Sequence, residues 1–328
     1  MTTRRELVIA LGASFIAWPS VSGAQQPAKL RRIGFLSPFA RVVTVSSEEA
    51  FRQGLRDLGW VEGQNVTVEY RYADGKLDRL PDLAADLVRL NVDVIVTSVT
   101  SDALAAQKAT RTIPIVMATV GDPVASGLVA SLARPGGNIT GSSQVGPELV
   151  GKRLELLKEI VPKLSSVAVF GNPTGAASIL NAKELQLSAG RLAIQLHTLE
   201  VRSADDYEKV FDDALKTRAG ALYLLPDPLI DAHLKRIADF AAKNRLPSIF
   251  HLIQFVEAGG LVSYGVERTH LFRRAATFVD KIFKGAKPGE LPVEQANKFE
   301  LAINLRTAKA IGISIPQSLL LRADKVIE

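Results

Sequence analysis

From Arg31 onward the chain alternates short apolar runs with segments whose apolar residues recur every three or four positions. IGFLS, VTVEYRY, VDVIVTS and IPIVMAT are of the first kind, and EEAFRQGLRDLG, LPDLAADLVRL and ALAAQKAT, which separate them, are of the second. Short Val- and Ile-rich runs joined by amphipathic helices predict a parallel sheet covered on both faces. The second half repeats the succession with VAVFG, IQLHTLEV, ALYLL and LPSIF as strands, separated by ILNAKELQLSAGRL, DYEKVFDDALKTR and HLKRIADFAAKN.

The halves share punctuation as well as pattern. The first strand ends in Ser37-Pro38 and its counterpart in Asn172-Pro173. The third runs into Ser98-Val99-Thr100-Ser101 in one half and Pro226-Asp227-Pro228 in the other, and the fourth is introduced by Ile113-Pro114 and by Leu246-Pro247. Ser37 to Ser98 is 61 residues and Asn172 to Asp227 is 55. A single match of this kind would mean little, but three in order point to a duplicated open sheet.

The expected architecture is therefore α/β, with two Rossmann-like lobes of parallel sheet joined by a hinge of several strands. Residues 30–143 form the first lobe, completed by part of 265–300. Residues 144–264 form the second, completed by the C-terminal segment to 328. Crossovers are expected in 134–147, after 263–269 and near 285–295, where Gly and polar residues gather. Open parallel sheets bind ligands beyond the carboxyl ends of their strands, so two facing sheets place both sets of loops in one cleft. Hinge closure is the expected motion.

The first thirty residues break the pattern. Arg4-Arg5 precedes an apolar run from Leu7 to Trp18, followed by Pro19 and Ser22-Gly23-Ala24. A basic start, a short apolar stretch and small residues before the cut predict a secretory signal covering residues 1–24. The run is too short for a span, which needs about 20 residues, and the arginine pair hints at the twin-arginine route. The chain has no cysteine. That excludes disulfides, thiolate metal sites, a cysteine nucleophile and a lipidated N-terminal cysteine. An exported protein without that anchor is expected free in the periplasm of a two-membraned bacterium.

Hydrophobic residues make up 47% of the chain and charged residues 23%, an ordinary globular balance. The formal net charge of +6 includes Arg4, Arg5 and Glu6, so processing lowers it to +5. Basic residues are interleaved with acidic ones, as in KRLELLKE and RSADDYEK, which describes solvated helix faces and not a nucleic-acid surface.

Ser37, Ser98, Thr100, Ser101, Asp122, Asn172, Asp227 and Tyr264 stand at predicted strand ends and are the candidate ligand contacts. Thr100 and Ser101 lead into a helix, so hydroxyls and free backbone amides converge where an anion would bind. They would equally serve as helix caps. Asp122 and Asp227 each precede a proline and could form turns, but both facing one cleft suits an ammonium. Tyr264 could stack on a ligand or close the core edge. Catalytic machinery is absent from the pattern. His197, His233, His251 and His270 lack metal-ligand spacing, and no GxSxG elbow, P-loop or dinucleotide fingerprint occurs. His251, after SIF, is read as a rim or core residue. Neither cofactor nor metal is expected.

Several motifs carry a resemblance across Arg32–Glu328. AFRQGLRDLGWVEGQNVTVEYR, VGDPVASGLVASLARPGGNITG, GKRLELLKE, LPDPL, FVEAGGLVSYG and SIPQSLLLRADKVIE are similar to the ABC-transporter substrate-binding family. Within it they resemble the tryptophan- and aromatic-amino-acid-binding branch. The resemblance implies a type I periplasmic-binding-protein fold and ligand roles for Thr100, Asp122, Asn172, Asp227 and Tyr264. It also implies an inner-membrane ABC permease as partner, and a monomer is expected. Ser98-Val99 and His251-Leu252-Ile253 depart from the family's usual residues, so ligand identity does not carry over. An amino acid or related carboxylate is the expected ligand. A sugar or nucleoside is the alternative, disfavoured because Trp60, the one tryptophan after residue 24, lies in a turn away from the cleft. A periplasmic enzyme on this fold would need a nucleophile–base pair that the sequence lacks.

Overall fold

The computed structural model describes residues 30–144 and 147–328, so the signal segment 1–24 lies outside the described residues. The first lobe runs β1 (Arg31–Ser37), α1 (Arg41–Asp57), β2 (Val66–Tyr72), α2 (Leu80–Arg89), β3 (Val94–Thr97), α3 (Thr100–Ala109), β4 (Ile115–Val120) and β5 (Ile139–Ser143). The second lobe runs α4 (Pro147–Ile160), β6 (Ser166–Gly171), α5 (Ala176–Arg191), β7 (Gln195–Glu200), α6 (Tyr207–Lys216), β8 (Leu222–Leu224), α7 (Pro228–Asp231), α8 (Leu234–Lys243), β9 (Ser248–Phe250), α9 (Ile253–Glu257) and β10 (Val262–Val266). The chain then returns to the first lobe with α10 (Arg268–Phe283) and β11 (Glu294–Gln295). It finishes in the second with β12 (Phe299–Asn304), α11 (Leu305–Ile311), α12 (Gln317–Leu320) and β13 (Lys325–Ile327).

One sheet has the order β11-β5-β4-β3-β1-β2 and the other β13-β12-β10-β9-β8-β6-β7. Within each repeat the pairings match, β1 lying between β2 and β3 as β6 lies between β7 and β8, all parallel. Among the described residues only β10 and β12 pair antiparallel. This is the two-lobed parallel-sheet fold that the alternation of apolar runs and helical segments predicts.

Each sheet is packed on both faces. In the first lobe, Phe35 of β1 and Phe51 of α1 meet Phe272 and Phe278 of α10 on one face. Leu36 and Ile95 meet Leu87 of α2 and Ala106 of α3 on the other. The second lobe divides in the same way between the α4–α5 side and the α6–α8 side. That α10 seals the first lobe fixes where the chain must cross back. The chain passes from the first lobe to the second between β5 and α4, and among the described residues it crosses back at Glu267 and forward again at 296–298. The stretch 285–295 itself stays with the first lobe, because Glu294 and Gln295 pair with Ser142 and Ser143 of β5.

Helix α1 begins at Arg41, earlier than its apolar period suggests. Its first turns are β-branched, yet Val42 and Val45 face solvent and Thr44 and Glu48 face inward, hydrogen-bonded to each other. The buried face there is polar, which hides the helical period. No helix among the described residues is long and apolar enough to cross a membrane.

Candidate functional site

The strand ends of both sheets open on one cavity of about 450 Å³. From the first lobe it is lined by Phe39 after β1, Val99–Ser101 at the start of α3, and Gly121-Asp122 after β4. From the second it is lined by Thr174-Gly175 after β6, Pro226–Pro228 after β8, and His251 after β9. Leu77, Leu80, Leu104, Leu149 and Leu180 make most of the wall apolar. Cavities of roughly 300–1,000 Å³, apolar with a few fixed polar groups, are the usual form of a small-molecule site.

Four of the eight candidate residues line this cavity: Thr100, Ser101, Asp122 and Asp227. Helix α3 starts at Thr100, so Thr100 and Ser101 form its first turn, and its hydrogen-bonded series opens with Ala103 N–H to the Val99 carbonyl at 3.3 Å. The amides of Thr100, Ser101 and Asp102 therefore have no intrahelical acceptor. Thr100 Oγ1 accepts the Gly121 N–H at 3.3 Å. Ser101 Oγ is buried with no hydrogen-bond partner. Asp122 is committed to its turn, Oδ1 accepting the Val124 and Ala125 amides at 3.0 and 2.9 Å. Asp227 caps α7, its Oδ1 accepting the Leu229 N–H at 2.9 Å and an Asn172 Nδ2 hydrogen at 3.2 Å. Burial pushes its carboxyl upward against those two donors.

Ser37, Ser98, Asn172 and Tyr264 are not among the lining residues; they sit one layer behind. Ser98 Oγ lies 2.8 Å from Asp102 Oδ2 and 3.3 Å from Ser37 Oγ. Ser98 and Val99 amides also donate to the Asp102 carboxylate, at 2.6 and 2.9 Å. Asp102, fully buried, thus ties the loop to the helix, and burial pushes its carboxyl up to about 6 despite these donors. Asn172 orders the β6 turn, its Oδ1 accepting from both Thr174 N and Oγ1, and it steadies Asp227. Tyr264 packs against Phe299 with ring centroids 6.2 Å apart.

Two buried charged residues of the wall, Arg153 and Asp231, were not expected there. Arg153 of α4 is only 3% exposed, its Nε donating to Tyr223 OH at 3.0 Å and its Nη1 to the Tyr264 carbonyl at 3.2 Å. Asp231 ends α7 with Oδ1 buried and unpartnered, and burial, only partly opposed by the Arg268 charge, raises its carboxyl to about 8. His251, read from sequence as a rim or core residue, lines the cavity while 7% exposed. Burial foremost, then the charges of Arg153 and Arg268, hold its ring well below the usual imidazole value, hence neutral. Gly265 allows this placement, since a Cβ there would overlap the His251 carbonyl. A signal for Arg153 exists in the sequence: it occupies the apolar stripe of Leu149, Val150, Leu157 and Ile160 at helical spacing. Asp231 stands one turn after Asp227. Among the described residues no group of three or more His, Asp or Glu is placed to hold a metal.

Comparison with known proteins agrees with this architecture. The tyrosine-binding protein of Clostridioides difficile (strain R20291) is 28% identical over 267 residues, covering 81% of this chain and 76% of the relative. The crystal structure of a conserved domain protein from Vibrio cholerae superposes with a TM-score of 0.86 at 30% identity, covering 91% of this chain and all of that one. A domain from Streptococcus pneumonia in complex with L-Trp superposes with a TM-score of 0.85 at 24% identity, over 90% of this chain and 99% of the other. Residues 43–327, nearly the whole of the two lobes, match the family described as ABC transporter substrate binding protein, and the chain belongs to that family.

Proposed function

We propose that this protein is the periplasmic binding component of an ABC importer. It closes on an amino acid or related carboxylate and delivers it, unaltered, to an inner-membrane permease. The observation that carries the reading is the cavity between the lobes, with an open helix N-terminus on one side and a carboxylate on the other. The first turn of α3 brings the Thr100 and Ser101 amides, which have no intrahelical acceptor, their two hydroxyls and a positive helix end, which favour a carboxylate. Asp227 from the opposite lobe favours an ammonium or N–H donor. A ligand bridging both would stabilise the closed arrangement of the lobes about the three crossings. Ligands named for the relatives, tyrosine and L-Trp, support the amino-acid class.

Within this reading Ser37, Ser98 and Asn172 hold the contact residues in place, and Asp122 and Tyr264 shape the rim. The protein acts as a monomer and without turnover, and cleavage after Ala24 releases it to the periplasm. A thermal-shift screen over amino acids, aromatic acids and sugars identifies the ligand, because a molecule that binds only the folded form raises the melting temperature. Calorimetry on Thr100→Ala and Asp227→Ala then tests the site. Each lost bond to a charged ligand group is worth about 1.5–3 kcal/mol, or roughly 10- to 150-fold in affinity. If both folded variants bind as the parent does, the two residues only form their turns.

A further inference from the structure

Arg153 is a cation in the cavity wall that the protein itself does not neutralise. Its side chain is held from two directions by neutral acceptors, the Tyr223 hydroxyl and the Tyr264 carbonyl. The Tyr223 hydroxyl is oriented in turn, donating to the Val150 carbonyl at 3.1 Å. Among the described residues, no carboxylate stands at ion-pair distance from Arg153, and its Nη2 has no hydrogen-bond partner. His251, on the same cavity wall, has no anionic form to offer Arg153. Asp227 is occupied by the α7 cap and Asn172.

A guanidinium removed from water is costly unless a negative group meets it. An arginine fork held by packing is also well suited to a carboxylate. Lys108 and Lys183 line the same cavity but are exposed and keep their hydration, so they impose no such demand. Leu80, Leu104 and Leu180 of the same wall offer apolar contact to the body of a ligand. We infer that Arg153 is a second anion-recognition point and that the ligand is a two-ended acid. One acid group sits at the start of α3, and a second carboxylate, at the far end of an apolar body, sits on Arg153. This rests on the reading of the cavity as an amino-acid or carboxylate site and narrows its substrate class.

Matched probes separate the two ideas. L-Norleucine and L-2-aminoadipate differ in whether the side chain ends in a methyl or a carboxylate; hexanoate and adipate repeat the contrast without the ammonium. Calorimetry on the purified protein should show the diacid of a pair binding at least about tenfold tighter than its partner, as expected for a hydrogen bond to a charged group. Arg153→Met should abolish that preference and leave the melting temperature of the ligand-free protein unchanged or higher, since an unpaired buried charge is removed. A residue that only braced Tyr223 and Tyr264 would lower it. Arg153→Lys, which keeps the charge but not the fork, should retain a weakened preference and serves if the methionine variant does not fold.

Equal binding of norleucine and aminoadipate would overturn the second subsite while leaving the amino-acid reading intact. Binding of adipate over hexanoate, with neither amino acid bound, would uphold Arg153 and reject the amino acid. Norleucine binding that is lost in Arg153→Met but kept in Thr100→Ala would put a single carboxylate on Arg153 and overturn the two-ended ligand. No binding by any of the four probes would overturn the two-ended acid, while the amino-acid reading itself stands or falls with the thermal-shift screen.

Discussion

Asp227 Oδ2 rests so closely against Gly175 that a Cβ on that glycine would overlap it. Gly175 has φ −77° and ψ 119°, a conformation open to any residue, so its backbone does not require glycine. The demand comes from the carboxylate across the cleft wall. Gly175→Ala should push Asp227 aside and weaken its bonds to Leu229 N–H and Asn172. Loss of an N-cap costs about 1 kcal/mol, so a modest drop in melting temperature is expected. Affinity for the ligand found by screening should fall at least tenfold, and calorimetry on the folded variant measures it. Unchanged affinity would mean that the place of the Asp227 carboxylate does not matter to binding.

Ser101 offers the opposite combination of effects. Its hydroxyl is buried and unpartnered in the ligand-free protein, so it contributes no hydrogen bond to stability. An unsatisfied buried polar group costs on the order of 1–3 kcal/mol. Ser101→Ala should therefore melt at the same temperature as the parent or slightly higher, yet bind its ligand roughly tenfold or more weakly. Paired melting and calorimetry give both numbers. A variant that loses stability and keeps affinity would show the hydroxyl to be structural.

Much of this was legible in the sequence because apolar period and strand-end punctuation are local signals. VTVEYRY became β2 residue for residue, and the duplicated strand ends did converge on one cavity. The loops that reach it, Val99–Ser101 and Pro226–Pro228, are the ones whose sequences carried hydroxyls and a carboxylate. What sequence could not supply was depth. Ser98 and Thr100 are two residues apart, yet one is tied behind the wall by Asp102 and the other faces the cavity. Arg153 was hidden for a different reason. It sits in a helix rich in charge, where KRLELLKE reads as a solvated face and obscures the apolar stripe of Leu149, Val150, Leu157 and Ile160, which packs under β9 and β10 and turns that arginine inward.

Processing is a prediction from the N-terminal pattern alone. Ser22-Gly23-Ala24 follows the apolar run, so the mature protein is expected to start at Gln25 and to be recovered in the periplasmic extract. N-terminal sequencing of that extract checks it. Retention of Met1 in the membrane fraction would replace cleavage with anchoring.

Asp231 makes stability depend on pH in a direction that can be worked out. Its carboxyl has an ordinary value of 3.8 and is raised by burial to about 8, with Asp227 adding a little and Arg268 opposing. Between about pH 4 and pH 8 the folded protein keeps a proton that the unfolded chain has released. The folded state thus binds more protons across that window, and stability falls as pH rises through it, levelling off above about 8. Every tenfold gain in proton affinity on folding is worth about 1.4 kcal/mol, so the contribution is on the order of a few kcal/mol. Asp102, raised to about 6, pulls the same way over the lower part of the window, so the parent's profile alone does not isolate Asp231. The difference between parent and Asp231→Asn does. An amide cannot ionise, so the variant should match the parent near pH 4 and become steadily more stable than it toward pH 8. Chemical denaturation at a series of pH values measures that difference. The rival outcome is specific. If charged Asp231 and Arg268 stabilise each other, the variant will be the less stable protein at pH 8, and the buried carboxylate is a paired one. The unpartnered Oδ1 and the Arg268 Nε, which is likewise buried without a partner, favour the first result.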